Sequence, residues 1–143
     1  MAHNFLEQLV AEWYEYQGFF IRRNVLVGRR SKGGHECELD VLAFNPNTRT
    51  VVHIEPSMDA QSWADREKRY KKKFDAGRKH IPRIFESLGG VEQIQQIAPF
   101  VFASDKTHQQ IGGGQILLVQ HLRKRPTNPS QPSAAEGDGE GGG

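Results

Sequence analysis

Two neighbouring apolar stretches, each carrying acids, limit what this chain can fold into. The first is Glu38-Leu39-Asp40-Val41-Leu42-Ala43-Phe44 and the second Thr50-Val51-Val52-His53-Ile54-Glu55-Pro56-Ser57. Both are short, rich in Val, Leu, Ile and Phe, and bounded by turn residues, the pattern of β-strands. Asn45-Pro46-Asn47-Thr48-Arg49 between them has the chemistry of a tight connection and predicts an antiparallel hairpin. Strict alternation puts Glu38, Asp40, Leu42 and Phe44 on one face of the first strand, and Val51, His53, Glu55 and Ser57 on one face of the second. Acids then converge at one end of an otherwise apolar sheet. That placement is costly unless a cation compensates it. A divalent metal is the simplest such cation.

The chain of 143 residues has the length of one domain. From Pro126 to Gly143 it is almost all Pro, Ser, Gly, Asn, Thr and acids, so a disordered tail is expected over 126–143 and a folded domain over 1–125. Without the tail's Glu136, Asp138 and Glu140, 19 basic residues face 14 acidic ones, a net charge of +5. That balance suits a nucleic-acid partner. The single cysteine, Cys37, excludes an internal disulfide framework and a cysteine-built zinc site. Its placement on a strand predicts a small buried hydrophobe. Met1-Ala2-His3-Asn4 lacks the charged and apolar regions of a signal peptide, and no apolar run reaches membrane-spanning length. A cytoplasmic protein with no membrane partner is expected.

In chain order, Asn4 reads as a helix N-cap, and Phe5, Leu6, Leu9, Val10 and Trp13 follow at helical spacing up to Gly18. Glu7 and Glu12 flank that stripe, and a flanking carboxylate can reach toward a site on the sheet. Phe19 to Val27 reads as the first strand. Arg29-Arg30-Ser31-Lys32-Gly33-Gly34 is a basic loop expected near the acidic cluster, where Arg29, Arg30 and Lys32 could meet phosphates. Asp59 to Lys79 has the clearest helical pattern, with Trp63, Tyr70 and Phe74 on one face and Asp59 or Ser62 as cap. Eight basic residues fall between Asp65 and Lys79 against three acids. Such density goes beyond solubility and makes Arg66, Arg69, Lys72 and Lys73 candidates for a phosphate-backbone footprint. Gly77 and Pro82 are expected to close this helix, and Ile81 to Leu88 to form a short second one ending at Gly89-Gly90. Ala98 to Ala103 reads as a fourth strand with Pro99 at its start, and Ile116 to Val119 as a fifth, buried on both faces. The Gly112-Gly113-Gly114 run lacks the lysine and hydroxyl of a phosphate-binding loop and reads as a turn. The order α-β-β-β-α-(α)-β-β implies an α/β sandwich with a mixed sheet.

These residues resemble the PD-(D/E)XK nuclease superfamily, the restriction-endonuclease-like fold, and within it the small Holliday-junction-resolvase-like and YraN-like proteins. Glu7 and Gly18 stand eleven residues apart, Glu38-Leu39-Asp40 is similar to the family's Glu-x-Asp strand, and Ile54-Glu55-Pro56-Ser57 lies where its Val-Glu-x-Lys strand belongs. The resemblance covers residues 5 to 120 and implies a Mg²⁺- or Mn²⁺-dependent nuclease acting on DNA. It makes Asp40 and Glu55 the metal ligands, gives Glu7 and Glu38 supporting roles, and allows a homodimer.

One position departs from the pattern. Ser57 stands where the family has lysine, and a serine cannot supply the charge that lowers the cost of forming hydroxide. The following helix is the expected supplier, through Arg66, Arg69 or Lys73. Arginine stays protonated and is a poor base, whereas Lys73 suits the chemistry but lies further along the helix. His53 is expected to pack beneath the site. The alternatives are a nuclease fold that binds nucleic acid or serves as an accessory subunit without cutting, and a small interaction domain unrelated to nucleic acid.

Overall fold

The computed structural model describes residues 5–56, 62–100 and 109–118. Asn4, Ser57, Asp59, the stretch 101–103, Val119 and the tail 126–143 therefore lie outside the described residues. The elements run α1 (Phe5–Tyr16), β1 (Phe20–Arg29), β2 (His35–Asn45), β3 (Thr50–Ile54), α2 (Trp63–Ile84), a 3₁₀ turn (Glu86–Leu88), β4 (Gln93–Phe100), β5 (Gln110–Ile111) and β6 (Gly114–Leu118). The protein is mixed α/β. Its described strands form one six-stranded sheet in the order β1-β2-β3-β4-β6-β5. The β1–β2, β2–β3 and β5–β6 pairs are antiparallel, and β3–β4 and β4–β6 are parallel.

The acid-bearing hairpin forms as its turn residues require. The Asn45 carboxamide oxygen accepts from the Asn47 and Thr48 amides, and Arg49 takes a left-handed backbone to close the turn. The two helices cover opposite faces. α1 buries Leu6, Val10 and Ala11 against Val41, Ala43, Val52 and Ile54. α2 lies over Leu39, Leu42, Val51 and Phe44 through Ala76 and Ile81, and over Ala98, Phe100 and Ile111 through Tyr70 and Phe74. Every one of these sheet residues alternates with a residue of the opposite layer except at one point. Leu39 and Leu42, three apart, pack into the same cluster. The alternation of β2 therefore breaks between them. Opposite Asp40 stands Asn24, which has φ +53° and is skipped in the β1–β2 ladder. The β1–β2 ladder is interrupted at this pair, with both strands irregular there. This local break delivers Asp40 to the α2 side directly after Leu39. The expectation that Glu38 and Asp40 share one face does not survive it.

α2 differs from its expected length. Ser62 caps it, its hydroxyl accepting from the Asp65 amide at 3.2 Å, but the helix continues through Gly77 and Pro82 to Ile84. Gly77 is there because the helix passes directly over the sheet: a Cβ at this position would lie 2.3 Å from His53 Nδ1. Pro82 falls in the last turns, where losing one amide hydrogen bond costs least. The expected second helix is thus the end of α2 plus the 3₁₀ turn, with Gly89 left-handed at its close. β4 begins at Gln93, five residues earlier than expected, and Pro99 sits near its end instead of its start. There β4 has already run past β3, whose ladder with it stops at Ile97, and among the described residues only β6 flanks Pro99. β6 is half-buried, with Ile116 and Leu118 against the α2 layer and Leu117 against the α1 layer. Gly112 and Gly113 form the turn of the β5–β6 hairpin, and both are left-handed. Among the described residues no helix is long and apolar enough to cross a membrane.

Candidate functional site

The two carboxylates meet where β2 and β3 run side by side. Glu55 follows β3 directly, its amide still bonded to the Ile97 carbonyl, and it is almost fully buried at 3% exposure. One of its oxygens is fixed twice: Oε2 accepts from the Asp40 amide at 2.9 Å and lies 2.8 Å from His53 Nε2. The other, Oε1, lies 3.4 Å from Lys73 Nζ. The same ammonium is 3.3 Å from Asp40 Oδ1 and donates to the Glu38 carbonyl. Lys73 thus bridges both carboxylates from the middle of α2, where the neighbouring Phe74 ring packs edge-on against the His53 ring.

Electrostatics follows from this crowding. Burial pushes the Asp40 carboxyl up, the charge of Glu55 adds to it, and Lys73 only partly offsets them, leaving Asp40 at about 7. Burial also works against the charge on Glu55, but the His53 hydrogen bond, Lys73 and the Asp40 amide outweigh it and hold Glu55 below the ordinary carboxylate range. For Lys73, burial is again overcome, here by Glu55 and Asp40, and its pKa is raised. One ionised carboxylate, one carboxyl poised near neutrality and one firmly charged ammonium share the site.

The site opens into a cleft of about 350 Å³, mouth included, lined by Asp40, Glu55, Pro56, Arg66, Arg69, Tyr70 and Lys73. Arg66 and Arg69 are one helical turn and Lys73 a further turn along α2, so three cations line one wall. The Arg66 guanidinium also stacks over Phe100, 5.5 Å from the ring centre. The Tyr70 hydroxyl is buried in the same wall with no hydrogen-bond partner among the described residues, and burial raises its pKa. A buried donor without a partner costs free energy unless a ligand or water meets it.

The structure separates the sequence-predicted residues into groups. Asp40, Glu55, Lys73, Arg66 and Arg69 meet in the cleft. Glu7, half-buried on α1, has its pKa raised by burial, opposed by Arg23, with Glu55 and Glu38 adding their repulsion. It contributes charge to the surroundings. Glu38 is exposed and contributes its main-chain carbonyl to Lys73. Lys72 is exposed on α2. Arg29, Arg30 and Lys32 lie at the tip of the β1–β2 hairpin, where Arg29 is paired with His35. Five residues of extended strand separate His35 from Asp40, about 16 Å at the usual rise, so the basic loop is not beside the carboxylates as expected. Cys37 is half-buried against the α2 layer. Sequence reasoning passed over Tyr70 as a cleft residue, Gln96 as a partner of His53 and Arg78 as a partner of Gln96. Gln93-Ile94-Gln95-Gln96 carries a single apolar residue, too little to announce a strand, so nothing local marks Gln96.

The donor set suits a hard divalent cation. Asp40 and the second oxygen of Glu55 are carboxyl groups facing one cleft, oxygen ligands of the type that Mg²⁺ and Mn²⁺ prefer. Among the described residues no third His, Cys, Asp or Glu joins them. Magnesium commonly takes only one or two carboxylates and completes its shell with water and substrate phosphate. Neither a scan against protein-family models nor a search of curated proteins finds a match to this chain.

Proposed function

We propose that the protein is a divalent-metal-dependent phosphodiesterase of the PD-(D/E)XK type that cleaves DNA, with a restriction-endonuclease-like arrangement of its mixed sheet and two flanking helices. The observation that carries this reading is the position of Lys73 within 3.4 Å of both Asp40 and Glu55. It gives the site the positive charge that Ser57 cannot supply, from the helix that follows. Asp40 and Glu55 would hold Mg²⁺ or Mn²⁺, which when bound acidifies water and neutralises charge on a scissile phosphate.

The chain's own residues then have distinct tasks. Glu55 is kept ionised and aimed by His53 and the Asp40 amide, so it presents one oxygen to the cleft without rearranging. Lys73 stays protonated and stabilises negative charge as it builds on the phosphate oxygens. Arg66 and Arg69 bind the flanking phosphates, and the Tyr70 hydroxyl donates to a phosphate or sugar oxygen entering the cleft.

The test is cleavage of single-stranded, duplex and branched DNA in Mg²⁺ and in Mn²⁺. Activity that disappears in Asp40→Ala and Glu55→Ala is the expected result. No cleavage of any form in either metal overturns the assignment. Salt-sensitive DNA binding without cleavage would then favour a non-cutting nucleic-acid-binding module.

A further inference from the structure

Behind Glu55 a chain of hydrogen bonds runs out to the surface of α2. His53 is completely buried and Gln96 nearly so. Arg78 Nη1 donates to Gln96 Oε1, and Nη2 to Asp75 Oδ1. Gln96 Nε2 faces two atoms, the Phe74 carbonyl at 2.7 Å and His53 Nδ1 at 3.1 Å. His53 Nε2 lies 2.8 Å from Glu55 Oε2.

The chemistry of these groups leaves one way to place the protons. A guanidinium has donors and no acceptor, so the Gln96 oxygen must face Arg78. The reversed amide would set NH₂ against the guanidinium and its oxygen against the Phe74 carbonyl, two repulsive contacts. The Gln96 nitrogen therefore donates both to Phe74 and to His53 Nδ1. A ring nitrogen that accepts carries no hydrogen, so Nδ1 is bare and the ring hydrogen on Nε2 goes to Glu55. Gly77 completes the arrangement, since any side chain there would occupy the place of His53 Nδ1 and crowd Gln96 Nε2.

We propose that Arg78 and Gln96 are positioning residues that fix His53 in its Nε2–H tautomer and thereby lock one oxygen of Glu55, leaving the other aimed into the cleft. The functional meaning of this chain rests on Glu55 being a metal ligand, but its proton arrangement does not. A buried His donating to a carboxylate both orients it and spares it the cost of burial. The surface ion pair Arg78–Asp75 is the outer end of the same device.

The decisive measurement is the ¹⁵N spectrum of the His53 ring in the metal-free, DNA-free full chain at neutral pH. Protonated Nε2 with bare Nδ1 is expected. A ring proton on Nδ1, alone or with Nε2, overturns the proposal, and this needs no variant to fold. Gln96→Glu replaces the donor with an acceptor still paired to Arg78, so the contact that keeps Nδ1 bare is lost and a hydrogen should appear on Nδ1. An unchanged tautomer in that folded variant also counts against the chain. In calorimetry with Mn²⁺ alone, Gln96→Leu and His53→Leu should each weaken binding about tenfold. The double variant should bind no more weakly than His53→Leu, because Gln96 acts only through the ring. Additive losses refute that dependence. Should the wild type fail to bind Mn²⁺ while His53 shows the expected tautomer, the nuclease reading falls and the hydrogen-bond chain stands.

Discussion

Lys73 Nζ lies 3.3 Å from Asp40 Oδ1, although 33 residues separate them in the chain. The contact joins the middle of α2 to the point where β2 loses its alternation, and it gives the proposed chemistry its charged group. Removing that ammonium should separate binding from cleavage. Lys73→Met is expected to lower the DNA cleavage rate about 10²- to 10³-fold while Mn²⁺ binding, measured by calorimetry, persists. Adding Ser57→Lys to that variant should recover part of the rate. A Lys73→Met protein that cuts at the wild-type rate removes Lys73 from the mechanism.

Asp40 imposes a pH signature on stability. Its carboxyl is raised from 3.8 to about 7 in the fold, so between those values the folded state holds a proton that the unfolded chain has released. Stability from this group is therefore lost as pH rises from about 4 to about 7, and is flat above. In metal-free protein, Asp40→Asn should be the more stable form by an amount that grows across that window to about 4 kcal/mol. Urea unfolding at pH 4.5, 6 and 8 reads this directly. A stabilisation by Asn that shrinks with rising pH contradicts the assignment. Saturating Mn²⁺ should stabilise the wild type and leave Asp40→Asn unchanged.

Gly77 offers a test of packing that runs against helix propensity. Alanine is favoured over glycine inside a helix by about 1 kcal/mol. Here its methyl would meet His53 Nδ1 at 2.3 Å, so Gly77→Ala should destabilise the fold by about 1–3 kcal/mol. Denaturant midpoints decide the sign.

The cationic wall predicts how binding responds to salt. Arg66→Ala and Arg69→Ala should each weaken DNA binding to a similar extent across sequences and reduce the slope of log K against log salt by about 1. Arg29→Ala and Arg30→Ala, at a hairpin tip about 16 Å of strand away from Asp40, should change the slope less if the footprint is centred on the cleft. Fluorescence anisotropy at several salt concentrations makes the comparison.

The parts of this fold legible in the sequence are those written in local chemistry. The β2–β3 hairpin follows from alternating apolar residues and the Asn45 turn, and α2 opens at Ser62 because a hydroxyl there can cap the Asp65 amide. What escaped was set by contacts distant in sequence. Gly77 reads as a helix terminator until His53, 24 residues earlier in the chain, is seen to occupy the space of its missing side chain. Gln93 to Gln96 carries no strand signal of its own; β3 supplies the parallel ladder and His53 a partner for Gln96. The choice among Arg66, Arg69 and Lys73 as the charged neighbour of Asp40 depends on the angle at which α2 crosses the sheet, and no local pattern encodes that angle. Strict period-two reasoning also misplaced Glu38, because β2 loses its alternation at Asp40, where the ladder with β1 skips a pair.

The triple-glycine turn bears on the same crossing. Gly112 lies against the main chain of α2, where a Cβ would come within 2.4 Å of the Lys71 nitrogen, and its amide donates to Glu67 Oε1. Gly114 likewise lies against the Phe74 ring. Contact with the helix thus falls between Glu67 and Phe74, amid the arginines and lysine that face the cleft. The hairpin acts as a shim whose thickness sets the height of the cationic row above the carboxylates, and a single added methyl group there would lift that row away from the acids it serves.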